Sequence, residues 1–199
     1  MTPRFPQTAA DRGKVAPARL AHCVVRTTPE HYAEMVEWYR TVLEAEPVFE
    51  NPFICFMTYD DEHHRIAIAA VPGLGERPKK TVGVDHIAFT YATLSDLVHT
   101  YERLAGLDIT PALPIHHGPT LSLYYDDPDG NRVELQIDVF DRREDQDAFF
   151  ESDQFAQNPI GVVFDPTELA RRFRAGIPEL ELKQPLEGPP PGPKDFGAR

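Results

Sequence analysis

The sequence predicts an α+β protein made of two β-α-β-β-β modules paired around a pseudo-twofold axis, with a concave cleft between them. Three observations carry that prediction. The same order of elements occurs twice, the hydrophobic period changes from about 3.6 to about 2 residues after each helical stretch, and a histidine stands near the start of both modules. The chain has 199 residues, 41% hydrophobic and 26% charged, enough for one domain with a core and extensions.

Residues 1–17 read as an N-terminal extension and 18–75 as the first module. Residues 19–27 form a short apolar run expected to be a buried strand with His22 near its start. Thr28-Pro29-Glu30 supplies a helix N-cap, a first-turn proline and an acidic first turn. The helix that follows places Tyr32, Met35, Val36, Tyr39, Val42 and Leu43 on one face and is expected to end near Ala45, before Glu46-Pro47. Strands are then expected over 48–51, 54–59 and 65–71.

The second module, 82–140, repeats the order and shares one domain with the first. Residues 83–89 form a strand carrying His86, and Thr93-Leu94-Ser95-Asp96 opens a helix with Leu94, Leu97, Val98, Tyr101 and Leu104 on its buried face. Strands are expected over 109–113, 121–125 and 132–139, the last entered through the turn-rich Asp126-Asp127-Pro128-Asp129-Gly130-Asn131. Residues 141–199 read as a C-terminal extension. Within it, Asp165-Pro166-Thr167 caps a short helix with Leu169 and Phe173 on one side, and Gly188 to Pro193 cannot form helix or strand. This extension is expected either to cover the cleft mouth or to pack on a neighbouring subunit.

The net charge of −12 is spread along the chain, and no basic groove stands out, so nucleic acid and anionic membrane are not expected partners. No apolar run reaches the length of a membrane span, and the N-terminus lacks the apolar core of a signal peptide. Cys23 and Cys55 each sit in an apolar stretch rather than in a disulfide framework, which places the chain in the cytoplasm. A homo-oligomer is expected.

Duplication also makes a chemical prediction. His22 and His86 occupy equivalent strand positions, so a pseudo-twofold axis would bring them to one cleft from opposite sides. Aligning Arg65-Ile66-Ala67-Ile68 with Arg132-Val133-Glu134-Leu135 shows Glu134 interrupting an apolar strand where its counterpart is Ala67. A buried carboxylate needs a partner, and a metal ion supplies one. Two imidazoles and one carboxylate form the ligand face associated with non-haem Fe(II), leaving positions open for reactants. Mn(II) is the second candidate ion.

These residues resemble the type I extradiol dioxygenases of the vicinal oxygen chelate superfamily. The likeness runs from about 18 to 140 through Leu20-Ala21-His22, Asp61-Glu62-His63-His64-Arg65-Ile66-Ala67, Val84-Asp85-His86-Ile87-Ala88-Phe89, and Ile115-His116-His117-Gly118 with Leu123-Tyr124-Tyr125-Asp126-Asp127-Pro128-Asp129-Gly130 and Glu134. Many members carry four modules, so this chain looks like a single-domain form. The resemblance implies His22, His86 and Glu134 as iron ligands and His64 as the acid-base residue, with His117 and Tyr124 bonding substrate from the other side. It prefers His64 to His63 by the spacing to Ala67, and His117 to His116 by the following Gly118. Tyr125, on the opposite strand face from Tyr124, is expected to be packing. The implied reaction is ring cleavage of a small aromatic diol, a 2,3-dihydroxybiphenyl or substituted catechol, by O2. A glyoxalase-like isomerase would need a further carboxylate that Ala67 does not supply. A bleomycin-resistance-type binding protein would leave the His-His-Glu set without a purpose.

Overall fold

The computed structural model describes residues 16–75 and 82–192. The N-terminal extension through residue 15 and the tail from Pro193 onward lie outside the described residues. The first module contains β1 (Cys23–Thr27), α1 (Tyr32–Leu43), β2 (Glu46–Glu50), β3 (Ile54–Thr58) and β4 (Ile66–Ala70), and its sheet runs β1-β4-β3-β2. The second contains β5 (His86–Thr90), α2 (Leu94–Ala105), β6 (Leu113–His116), β7 (Thr120–Asp126) and β8 (Arg132–Asp138). Its sheet runs β5-β8-β7-β6, extended at the β6 edge by β9 (Val162–Val163). The two-module α+β architecture is therefore as the repeat predicts.

The duplication extends to strand register. In the first module β1 runs parallel to β4 with Val24 opposite Ala67; in the second, β5 runs parallel to β8 with Ala88 opposite Glu134. Two residues before each of these pairs stands a histidine-arginine neighbour, His22 near Arg65 and His86 opposite Arg132. Successive side chains alternate faces, so each sheet has a helix-covered side and a second side carrying the candidate donors. Cys55, Met57, Ile66 and Ile68 bury the helix side of the first sheet against Met35, Tyr39 and Val42 of α1. Leu123, Tyr125, Val133 and Leu135 do the same beneath Leu94, Leu97 and Val98 of α2. Tyr125 is thus packing, as its strand position indicates.

Both helix sides belong to one apolar core. Polar contacts tie the modules together across it. The Tyr39 hydroxyl donates to Asp127 Oδ2 at 3.1 Å, and Arg103 donates to the Thr41 carbonyl at 2.6 Å. The ring of Tyr59 meets Phe89 edge-on at 5.9 Å.

Several boundaries differ from the sequence reading for local reasons. The first helix begins at Tyr32, and Thr28 instead caps the preceding turn by accepting from the His31 amide at 3.3 Å. It stops at Leu43 because Glu44 takes the left-handed conformation, φ 49°. Strand β6 starts at Leu113 rather than 109. The Ile109 amide is bound to the Leu104 carbonyl at the helix end, and the first amide bonded to β7 is that of Ala112, beyond Pro111. The second helix is capped by Thr93, whose hydroxyl accepts from the Asp96 amide at 3.1 Å.

The C-terminal extension is more structured than its composition indicates. It forms α3 (Arg143–Phe150), α4 (Asp153–Gln157), β9, α5 (Pro166–Arg174) and α6 (Glu179–Leu182). Asp165 caps α5 through the amides of Thr167 and Glu168, and Leu169 and Phe173 pack on the core. The Gly188 and Leu186 carbonyls accept from Asn158 and Gln154, so the proline-rich stretch packs on α4 as far as it is described. Both cysteines are free thiols, and among the described residues no helix is long and apolar enough to cross a membrane.

His116 is part of this scaffold. It is 2% exposed, its Nδ1 accepts from the Gly118 amide at 3.1 Å, and its Nε2 faces the Lys183 carbonyl at 3.2 Å. Burial pushes its pKa down to about 4, so the folded state holds the neutral ring. Between that value and its unfolded value of 6.5 the unfolded chain binds more protons, so stability falls as pH drops across this window. The shift corresponds to on the order of 3 kcal/mol. Chemical denaturation at stepped pH should therefore show a steeper loss of stability between these values in the native chain than in His116→Gln; equal slopes would contradict the assignment.

Candidate functional site

Glu134 sits in the middle of β8, 4% exposed, between Ala88 of β5 and Tyr124 of β7. Its Oε2 lies 3.0 Å from His86 Nε2. The other ring nitrogen of His86, Nδ1, lies 2.8 Å from Asp85 Oδ2. A neutral imidazole that donates to Asp85 presents a bare lone pair to the Glu134 carboxylate. That contact is stabilised only by a positive charge, either on the ring itself or on a cation held by both groups. Two ligands about 2.1 Å from one ion and at right angles lie about 3 Å apart, so the His86–Glu134 spacing fits a shared metal ion.

Around Glu134 the second sheet supplies an ordered hydrogen-bond chain. Tyr124 is directly opposite Glu134 in the β7–β8 ladder, and burial and then the carboxylate's charge push its phenol pKa up, keeping the hydroxyl protonated. That hydroxyl lies 2.9 Å from His117 Nε2. The Ile160 carbonyl lies 2.5 Å from His117 Nδ1, so Nδ1 carries the proton and Nε2 is the acceptor in the neutral ring. Burial lowers the His117 pKa, which favours this neutral form. Tyr124, Leu113 and Ile115 form a small apolar cluster on this side of the sheet, separate from the main core.

The segment that holds His117 was not visible in the repeat. Gly161 has φ 105°, and a Cβ there would lie 2.3 Å from the His116 carbonyl oxygen and 2.7 Å from His117 Cα. Only glycine permits this close backbone approach. It seats Ile160 against His117 and lets β9 pair with β6. A cavity of about 570 Å³ opens beside it, lined by His116, His117, Gly118, Phe149, Asn158 and Leu186 among others. The extension thus forms one wall next to His117.

The first module gathers imidazoles instead. His22 stacks on His64 with ring centroids 4.4 Å apart, and His64 Nδ1 lies 2.5 Å from His63 Nδ1. Phe56 closes the other side of His64 at 4.8 Å. Burial, followed by the neighbouring His22 and His63, lowers the His64 pKa. His63 projects outward near Glu62, so His64 is the ring that faces His22. Ala67, at the position equivalent to Glu134, is fully buried and adds no donor.

The structure therefore brings the expected residues together in two groups. His86, Glu134, Tyr124 and His117 lie together on the second sheet, and His22 and His64 lie together on the first. Among the described residues no three histidine, cysteine, aspartate or glutamate side chains converge at metal-holding distance. Asp85 and Ile160 are the contributors that sequence reasoning missed. Asp85 stood beside His86 in the quoted motif, whereas Ile160 acts through its backbone and leaves no side-chain signal.

A family model described as Glyoxalase/Bleomycin resistance protein/Dioxygenase superfamily matches residues 19–135, which span both donor groups. Biphenyl-2,3-diol 1,2-dioxygenase 3 of Rhodococcus globerulus is 47% identical over 82% of this chain and 86% of its own length. Biphenyl-2,3-diol 1,2-dioxygenase 2 of the same organism is 43% identical over 82% and 85%. Among solved structures, a putative glyoxalase from Bacillus halodurans aligns with TM-score 0.51 at 15% identity, covering 60% of this chain and 96% of that one. A glyoxylase/bleomycin resistance protein/dioxygenase domain from Frankia sp. EAN1pec aligns with TM-score 0.51 at 17% identity, covering 62% and 99%. These two share the fold.

The role of Gly161 is directly testable. Gly161→Ala should lower the unfolding free energy by about 1–3 kcal/mol through backbone strain and the steric clash. It should also broaden or shift the His117 ring resonances in the NMR spectrum. An unchanged melting temperature with unchanged His117 signals would refute the close approach.

Proposed function

This chain belongs to the Glyoxalase/Bleomycin resistance protein/Dioxygenase superfamily, and within it we propose an extradiol dioxygenase that cleaves 2,3-dihydroxybiphenyl or a substituted catechol with O2. The observation that carries this reading is the 47% and 43% identity, over 82% of the chain, to two proteins named biphenyl-2,3-diol 1,2-dioxygenases. The donor chemistry supports it. His86 and Glu134 are spaced as neighbouring ligands, and Ala67 leaves the equivalent place in the first module open.

Fe(II) fits this set, with His22, His86 and Glu134 as the residues that would hold it and Mn(II) as the second candidate. When bound, the ion supplies a Lewis-acid centre at which diol and O2 meet in one encounter. The chain's own groups then have distinct tasks. His64 is a neutral imidazole beside His22 and takes a proton from a diol hydroxyl. Asp85 fixes the His86 ring by holding Nδ1, so that Nε2 is aimed at the site. Tyr124, kept protonated, points its one hydroxyl hydrogen at His117 Nε2 in the free protein and would turn it to the substrate oxygens where negative charge develops. His117, anchored by the Ile160 carbonyl, orients that hydroxyl and exchanges a proton with it.

The protein reconstituted anaerobically with Fe(II), mixed with 2,3-dihydroxybiphenyl and then exposed to O2 should consume oxygen and give a yellow ring-opened product. Glu134→Ala should lose iron by metal analysis, whereas His64→Phe should keep it and lose about 10²–10⁴-fold in turnover. Silence across a varied catechol panel would overturn the activity, and full iron retention in Glu134→Ala would overturn the ligand assignment.

A further inference from the structure

Two histidines of the proposed site stand outside the strands. His22 comes one residue before β1, and His64 two residues before β4. The parallel ladder between these strands starts at Cys23 and Ile66, so strand pairing by itself fixes neither ring. Yet the two rings stack with centroids 4.4 Å apart and planes within 28° of parallel, and Phe56 closes the other face of His64. An ion held by His22 and a proton acceptor at His64 serve the same diol only if this spacing is kept.

Arg65 touches both segments. On one side its Nη1 donates to the Leu20 and Ala21 carbonyls at 2.8 and 3.1 Å, and its own carbonyl accepts from the Cys23 amide at 2.9 Å. Those three contacts bracket His22. On the other side its Nε donates to the two Asp60 carboxylate oxygens at 3.2 and 3.0 Å, and Glu62 Oε2 lies 3.9 Å from Nη1. Asp60 in turn accepts from the Glu62 amide at 3.1 Å, which shapes the turn leading to His64. The Arg65 side chain is 17% exposed, so these charge-assisted bonds are less screened than those of a surface pair. The duplication repeats the arrangement. Arg132, at the equivalent place, stands opposite His86 and grips Asp126 through Nε and Nη2 at 2.9 and 3.2 Å. Arginine suits this task because its planar fork spans separate acceptors in fixed directions, whereas lysine presents one point charge.

We propose that Arg65 is a positioning residue that clamps the segment before β1 to the turn over residues 60–64 and so sets the spacing of His22 and His64. The inference rests on the roles given above to those two histidines and adds what holds them in register.

The test compares full-length Arg65→Met and Arg65→Lys with the native chain. Methionine keeps an apolar stem and removes every side-chain donor. Lysine keeps the charge and cannot hold the carbonyls and Asp60 together. In the iron-free protein, NMR cross-peaks between the His22 and His64 ring protons should be present in the native chain and lost in both variants. The contact between His117 and Tyr124 on the other sheet should persist, and Arg65→Lys should keep a near-native melting temperature. Loaded with iron, both variants should lose about 10–100-fold in iron affinity or turnover. Native-strength His22–His64 cross-peaks in Arg65→Lys would overturn the clamp. Loss of the His117–Tyr124 contact along with them would also overturn it, since that marks a general structural role. If Arg65→Met does not fold, Arg65→Lys decides by the same readings. A native chain that takes up no oxygen with any catechol would overturn the activity and leave the ring contacts to be judged on their own, so the two claims fail separately.

Discussion

A carboxylate buried at the centre of an apolar strand sets the terms for the rest of the second module. Removing Glu134 from water costs several kcal/mol unless a positive charge and hydrogen bonds compensate it. The fold places His86 Nε2 at 3.0 Å, with Asp85 on the far side of that ring. Parallel pairing of β5 with β8 fixes this contact, and the antiparallel β7 brings Tyr124 alongside. A cation between its members would stabilise the pair, which supports the ligand role proposed for both.

The duplicated modules have diverged in a chemically useful direction. Their strand registers agree, yet one places alanine and the other glutamate on the last strand. The first module thereby became a cluster of imidazoles able to accept protons. The second holds a buried carboxylate beside a phenol kept protonated by burial and by that carboxylate. The C-terminal extension serves the second half. It extends the sheet through β9 and fixes the His117 tautomer through a backbone carbonyl that only a glycine hinge can bring near.

Much of this was legible in the sequence because the determining signals are local. Period changes located the helices and most strands, and Asp165-Pro166 and Thr93 marked caps that the structure contains. The start of the first helix was misplaced because Thr28-Pro29 serves a turn of nearly the same chemistry. The β6 boundary was misplaced because a helix-end hydrogen bond from Ile109 competes with strand propensity. The donors His86 and Glu134 were readable from apolar-strand interruptions, and their contact follows from strand pairing. Two features were not readable. The Ile160–His117 bond involves the main chain, and the separation of the His22 group from the Glu134 group depends on which faces of the two modules pack together. Hydrophobic alternation marks both sides of the first sheet as apolar and does not choose between them.

The central claim is that His22, His86 and Glu134 hold one Fe(II). Crystals of the iron-loaded protein, measured at the iron absorption edge, test it most directly. The account predicts one anomalous peak per chain, contacted by His86 Nε2, a Glu134 oxygen and a His22 nitrogen. A peak contacted by other residues, or one bound to His86 and Glu134 with no His22 from either chain nearby, would contradict it.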